Sequence, residues 1–254
     1  MENSQIKADL INKLSLYSFT LSKLDKSYDK VEPVLLSKNS DKKKNKEDKN
    51  MNRKNLYFPK GNLKDTLFWC FYILVNSIEE YEFNQMRHFE MEMKLKFDFL
   101  EKIRNNWSII KEFKLKKIDI ESNLCSENKI SFHSFYSLCI LEKINIYLIV
   151  DNCAYQFFTS DDDNNEFFII HKMNNTFGID LRKGEELKEI LKTKYMVINP
   201  IKPIRGISYY KIGELRDILN KLKLDENLPG KFNKNMVYNE IKSYFNNYGI
   251  IKQN

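Results

Sequence analysis

The longest uninterrupted apolar stretch of the chain is Leu67-Phe68-Trp69-Cys70-Phe71-Tyr72-Ile73-Leu74-Val75. It is about half as long as the ~20 residues that a membrane-spanning helix needs, so we interpret it as a helix buried inside a folded protein. A helix that is apolar on all sides must be covered by several other elements. The rest of the sequence therefore has to supply that cover.

Helical periodicity is found on both sides of this stretch. Apolar residues recur in steps of three and four over residues 6–24 and 84–115, which predicts an amphipathic helix in each range. Shorter helices are predicted at residues 118–124 and 131–141, the second of them with a serine N-cap. The half of the chain that precedes residue 142 is therefore predicted to be mainly helical.

Short β-branched stretches separated by turn residues replace the helical pattern from Ile144 onward. Four strands are predicted between residues 144 and 181, followed by a helix at 184–193 and a last short strand at 195–198. Antiparallel hairpins are the simplest way to connect the four strands. The predicted fold class is α+β, with a helical N-terminal half, a small antiparallel β-meander and a C-terminal helical hairpin.

The composition is that of a folded protein without a disulfide or cofactor framework. Of the 254 residues 42% are hydrophobic and 13% aromatic, and Gly is scarce at 7 residues. The four cysteines form no CxxC or Cys/His cluster, so neither a zinc site nor a cofactor motif is predicted. Because the N-terminus has no signal-peptide pattern, we expect the protein to stay in a reducing compartment.

Charge and composition predict four segments. They are an amphipathic helical segment at 1–35, a disordered basic linker at 36–55, an α+β body at 56–199 and a C-terminal unit at 200–254. The net charge is +7, and the linker and the C-terminal unit hold this excess whereas the body is mildly acidic. Any polyanion is therefore expected to bind at the linker or at the C-terminal unit rather than at the body.

The C-terminal unit carries the most informative motif. Residues 211–219 read Lys-Ile-Gly-Glu-Leu-Arg-Asp-Ile-Leu, Leu222 and Leu224 follow, and a Gly-Lys pair at 230–231 precedes the second helix. This pattern resembles the SAP family of small helix-loop-helix DNA-binding motifs, including the SAP-like units of giant DNA virus proteins. The loop here is several residues longer than is usual in that family.

The resemblance implies contact with DNA phosphates, made by basic side chains and by the backbone N–H groups of a helix N-terminus. The candidate nucleic-acid-binding residues are Lys202, Arg205, Lys211, Arg216, Lys231 and Lys234. An acidic protein partner would suit the same side chains, so docking to such a protein remains the alternative to DNA.

The body has a second resemblance, to OTU-type papain-like cysteine peptidases. It rests on Asp65-Thr66-Leu67-Phe68 at the start of the central helix and on the segment 135–147. In that family a Cys precedes the Leu-Phe pair, where this chain has Thr66, and the late His has no counterpart in residues 174–178. His171 is the nearest histidine. The resemblance implies a catalytically degenerate relative that acts as a protein-interaction scaffold.

Taken together, these features resemble a family of uncharacterised proteins from giant DNA viruses. The likeness rests on the order of four features along the chain. They are the central helix, a Tyr-Glu pair at 81–82, a long Glu/Lys-rich helix and the C-terminal Tyr-Lys unit. It implies a non-enzymatic viral protein of the virion or the replication factory that binds DNA, with other viral proteins as further partners and no membrane contact. The expected location is the host cytoplasm or the virion, with the nucleus as an alternative.

Overall fold

A computed structural model describes residues 55–60, 63–84, 87–159, 166–224 and 233–248, all of them within one compact unit. The predicted N-terminal helix and residues 36–54 of the predicted linker lie outside these ranges. The helices are α1 (Thr66–Val75), α2 (Ile78–Phe83), α3 (His88–Asn105), α4 (Trp107–Ile110), α5 (Lys117–Ser126), α6 (Phe132–Glu142), α7 (Glu185–Lys192), α8 (Ile212–Leu222) and α9 (Lys234–Tyr248), with short 3-10 turns at Lys111–Phe113 and Ile207–Tyr209.

Helix α1 occupies the centre of the core, as its apolar sequence predicts. Every residue from Thr66 to Ile73 is buried. Asp65 is the N-cap of this helix, and its Oδ1 accepts a hydrogen bond from the backbone N–H of Phe68 at 3.2 Å. The other carboxylate oxygen of Asp65 accepts the N–H of Ile130 at 2.7 Å, which ties the chain before α6 to the start of α1.

One six-stranded sheet accompanies the helices, so the predicted α+β class is confirmed. Its strands are β1 (Leu56–Tyr57), β2 (Asn145–Val150), β3 (Cys153–Phe157), β4 (Phe167–Met173), β5 (Thr176–Asp180) and β6 (Tyr195–Val197), in the order β1-β5-β4-β2-β3-β6.

The sheet is mixed, which differs from the antiparallel meander that the sequence predicts. The hairpins β2–β3 and β4–β5 are antiparallel as expected, but β4 pairs in parallel with β2, and β6 pairs in parallel with β3. Strand β2 is apolar on both of its faces, which is typical of a strand that is covered on both faces. It lies between β3 and β4 in the sheet.

The two faces of the sheet are covered by different helices. Leu148 and Ile170 face the large core around α1, whereas Ile149 and Ile169 face α7 through Leu187. This alternation is the two-residue period of a strand that is buried on both sides. Helix α7 is therefore the cover of the second face.

The long helix predicted at 84–115 is divided. Helix α3 ends at Asn105, and α4 begins after Asn106, whose amide Nδ2 donates to the carbonyl of Lys102. An asparagine side chain that bonds the preceding turn competes with helix continuation. The N-terminal part of the predicted apolar stripe is exposed, with Phe89 78% accessible. Helical periodicity identified the elements but not the burial of this stripe.

The C-terminal helices pack onto the body and share its core. Their apolar faces join the cluster around α1 through Leu215, Ile218, Leu219, Leu222, Val237, Ile241 and Phe245. The side-chain amide of Asn152 in the β2–β3 turn donates to the carbonyl of Leu222 at 3.1 Å. None of the described helices is both long enough and apolar enough to span a membrane.

A buried carboxylate stabilises the β4–β5 hairpin. His171 Nε2 lies 2.8 Å from Oδ2 of Asp180, and the Arg182 guanidinium binds both carboxylate oxygens of the same residue. Burial by itself would raise the pKa of Asp180, but the hydrogen bonds from His171 and Arg182 hold it well below its usual range. The ionised carboxylate is therefore the form that the fold stabilises.

Asp180→Asn is expected to lower the free energy of unfolding by about 2 kcal/mol at pH 7, since it removes charge-assisted hydrogen bonds. A carboxyl whose pKa is depressed by folding contributes fully above its unfolded pKa of about 3.9 and loses that contribution as the pH falls through the folded pKa. The difference between wild type and variant should therefore shrink below about pH 4. Urea unfolding at pH 7 and at pH 3 checks this. The exposed control Asp98→Asn should show no such difference.

Candidate nucleic-acid interface

The two C-terminal helices begin at the same end of their unit. The phenolic oxygen of Tyr210, just before α8, accepts the backbone N–H of Arg205 at 3.0 Å. Tyr238, in the second turn of α9, donates its hydroxyl to the carbonyl of Arg205 at 3.0 Å. The backbone of Arg205 is thus hydrogen-bonded to a tyrosine near the beginning of each helix.

Both helices also end near the same part of the body. The C-terminal residue of α8, Leu222, accepts from Asn152, and near the end of α9 the hydroxyl of Tyr244 lies 3.9 Å from Sγ of Cys153. The helices therefore run in the same direction.

The structure places three of the six predicted binding residues at or beside the beginnings of these two helices. Lys211 is the N-cap of α8, Lys234 is the first residue of α9, and Arg205 is bonded to both helix beginnings. We call the surface formed by Arg205, Lys211 and Lys234 the basic end. Of the other predicted residues, Lys202 is exposed upstream of it, Arg216 is exposed one turn into α8, and Lys231 lies outside the described residues.

Arg205 and Tyr209 form a stack at the basic end that the sequence analysis missed. The guanidinium carbon of Arg205 lies 4.2 Å from the centroid of the Tyr209 ring, and Tyr209 is 61% exposed. A cation over an aromatic face is favourable, and Arg is the cation most often found there. An arginine four residues before a tyrosine is a common sequence pattern that does not by itself predict a stack. The stack depends on the 3-10 turn at Ile207–Tyr209, which the sequence does not reveal.

The electrostatics of the basic end favour an anion. Among the described residues, none of Arg205, Lys211 and Lys234 forms an ion pair with a carboxylate. Two helix N-termini also present partial positive charge at this end. One carboxylate opposes them, because Glu214 accepts the backbone N–H of Lys211 at 2.7 Å. That bond uses Glu214 to cap α8.

Among the described residues of the body, the start of the central helix contacts the sheet but is not paired with a histidine. Thr66 begins α1, and its Oγ1 accepts the backbone N–H of Phe177 on β5 at 3.1 Å. Phe177 belongs to the sheet face that meets the core around α1. His171 pairs with Gly178 across the hairpin and therefore lies on the opposite face, where it bonds Asp180. It is not placed to act as a base for Thr66.

The nearby cysteine is also unsuited to nucleophilic chemistry. Cys70 is fully buried, and burial, followed by the charge of Asp65, raises the pKa of its thiol well above the usual range. Two clefts of about 1160 and 690 Å³ lie elsewhere on the body, and neither is lined by Thr66, Cys70 or His171. In the part of the chain that the structure describes, no three His, Cys, Asp or Glu side chains are grouped as metal ligands.

Comparison with models of known protein families, with curated proteins and with solved structures gives no match to this chain.

Proposed function

We propose that this protein binds nucleic acid non-enzymatically through the basic end of its C-terminal helices. The observation that carries the proposal is that the backbone of Arg205 is hydrogen-bonded to Tyr210 and Tyr238 near the beginnings of the two helices, where Lys211 and Lys234 stand. Helix N-termini and basic side chains are the groups that proteins direct at phosphates. The body, by contrast, carries more acidic than basic residues.

The contacts expected with nucleic acid are electrostatic. Lys211 and Lys234 each supply an ammonium group to a phosphate, and Arg205 supplies a planar guanidinium that its two backbone hydrogen bonds hold near the helix beginnings. Such contacts position a protein on the phosphate backbone and carry no sequence information. We therefore expect binding that depends strongly on salt and weakly on sequence.

The setting of this activity follows from the resemblance of the sequence to proteins of giant DNA viruses. It supports a proposed role on viral DNA in the host cytoplasm, at the replication factory, or in the virion. An acidic protein partner would meet the same charges at the basic end. Salt dependence alone does not separate these partners, so the test uses nucleic acid directly.

Fluorescence anisotropy with a labelled 20-bp duplex tests the proposal. The full chain is required, because the C-terminal helices share the core of the body. Three phosphate contacts predict that the Kd rises about 40-fold between 50 and 200 mM salt. Absence of binding at 50 mM salt to this duplex and to single-stranded 20-mers, or binding that salt does not weaken, would overturn the proposal and favour a protein partner.

The second candidate function is a protein-interaction scaffold derived from a papain-like fold. It is supported by the hydrogen bond from Phe177 to Thr66, which joins the start of the central helix to the segment where that family has its late His. The missing nucleophile and the position of His171 on the other face of the sheet favour a scaffold over a peptidase.

A cysteine placed at position 66 is expected to be a poor nucleophile. Thr66 is buried beside Asp65, and both burial and the neighbouring carboxylate disfavour a thiolate. In the Thr66→Cys variant, iodoacetamide at pH 7.5 should label position 66 more slowly than the exposed Cys125, as measured by mass spectrometry of the folded protein. Faster labelling than at Cys125 would show an activated site and contradict the degenerate assignment.

A further inference from the structure

We infer that the Arg205–Tyr209 stack is a platform for an unpaired base, so that the basic end takes single-stranded nucleic acid in preference to duplex. This inference rests on the proposed function and names the substrate class of the same site. The shared chemistry is the π-face of a nucleobase, which single-stranded DNA and RNA both offer.

The first observation is that Tyr209 stays accessible beside its neighbours. The guanidinium carbon of Arg205 lies 4.2 Å from the centroid of the Tyr209 ring, and the Tyr210 ring makes an edge contact with centroids 5.3 Å apart at 83°. With these two neighbours in place, 61% of Tyr209 is still exposed. An aromatic residue that is held by its neighbours yet mostly accessible has the form of a stacking surface rather than of a core residue.

The second observation is that hydrogen bonds within the protein preorganise the platform. The N–H of Tyr209 donates to the carbonyl of Gly206 at 3.0 Å, which forms the 3-10 turn carrying the ring. The N–H and carbonyl of Arg205 are bonded by the hydroxyls of Tyr210 and Tyr238. A rigid platform lowers the conformational entropy that binding would otherwise cost.

The third observation is the position of the platform relative to the phosphate-binding groups. Lys211, the N-cap of α8, follows Tyr209 by two residues. Apart from its chain neighbours and the backbone of its own helix, Gly213 in the first turn of α8 has no heavy atom within 4 Å of the place where a Cβ would lie, so this position is open to a ligand. A strand whose base stacks on Tyr209 thus has basic and N–H groups next to its phosphate.

Duplex nucleic acid does not offer a free base face to the Tyr209 ring. Its base faces are stacked on one another, whereas unpaired bases present a free face to aromatic rings and to guanidinium planes. Phosphate contacts alone would not require an exposed tyrosine beside the basic residues. The combination of ring, guanidinium and lysines therefore favours a single strand.

The test compares three labelled probes on the full chain at 50 mM salt: a dT 20-mer, an rU 20-mer and a 20-bp DNA duplex. Tyr209→Ala is expected to weaken single-strand binding about 10-fold while changing duplex binding less than about twofold. Tyr209→Phe is the matched control, because it keeps the ring, and it should bind the single strands within about twofold of wild type. A preference between dT and rU would assign DNA or RNA as the source of the base.

The outcomes separate this inference from the proposed function. If Tyr209→Ala weakens duplex and single-strand binding equally, or weakens neither, the platform is overturned while binding through the basic end stands. If the wild-type chain binds none of the three probes, both are overturned. Selective loss of single-strand binding in Tyr209→Ala but not in Tyr209→Phe is the result that supports the inference.

Discussion

Asp65→Ala is expected to lower the free energy of unfolding by about 3 to 5 kcal/mol, since it breaks a buried ion pair by removing one partner. Asp65 Oδ2 lies 2.8 Å from Nζ of Lys96, and both side chains are more than nine-tenths buried. The same carboxylate accepts two backbone N–H groups, from Phe68 and Ile130. The substitution therefore leaves a buried ammonium and two N–H donors without this acceptor. Urea unfolding followed by circular dichroism measures the loss.

A double-mutant cycle separates the ion pair from the rest of this network. Glu92 also contacts Nζ of Lys96 at 2.8 Å and accepts the indole N–H of Trp69, so part of the compensating charge stays in Asp65→Ala. Adding Lys96→Met removes the poorly compensated ammonium and should make the double variant more stable than the sum of the two single changes predicts.

The exposed substitution Asp98→Ala on α3 is the control for this cycle, and it should change stability by no more than about 0.5 kcal/mol. Additive behaviour of Asp65→Ala and Lys96→Met would contradict the assigned coupling.

The sequence predicted local structure well and sheet topology incompletely. Ser131 is the N-cap that the sequence indicates, and its Oγ accepts the N–H of Ser134 at 3.1 Å. Caps and periodicity are local properties, so residues close in sequence reveal them. The parallel pairing of β2 with β4 instead depends on long-range packing on both faces of β2, which no short pattern records.

The candidate site was predictable in composition but not in arrangement. The basic residues were visible as charges, but their meeting at one end depends on α8 and α9 running in the same direction. That direction is specified by tertiary contacts such as Tyr238 to Arg205 and Asn152 to Leu222. The capping role of Glu214, in contrast, is a local property. Glu214 follows Lys211 by three residues, which is the spacing of a capping box, and it accepts the backbone N–H of Lys211.

The triple charge reversal Arg205→Glu, Lys211→Glu and Lys234→Glu is expected to weaken duplex binding about 100-fold at 50 mM salt. It removes three cations, so the slope of log Kd against log salt should fall by about 3 units as well. The loss should be the same for duplexes of different sequence, because phosphate contacts do not read bases. Fluorescence anisotropy over a range of salt concentrations measures both quantities.

The reversal is expected to leave the fold in place, and circular dichroism of the variant checks this. Arg205 and Lys211 are exposed, and Lys234 lies in the first turn of α9, where a glutamate is favourable to the helix dipole. The matched control reverses three exposed lysines of the body, Lys94, Lys111 and Lys129, and so makes the same change in net charge. If binding responds to total charge alone, both triple variants lose affinity equally and the basic end is not the site. If the basic end is the site, the control keeps its salt slope and binds within about threefold of wild type, because exposed charges that make no phosphate contact are weakened by salt screening.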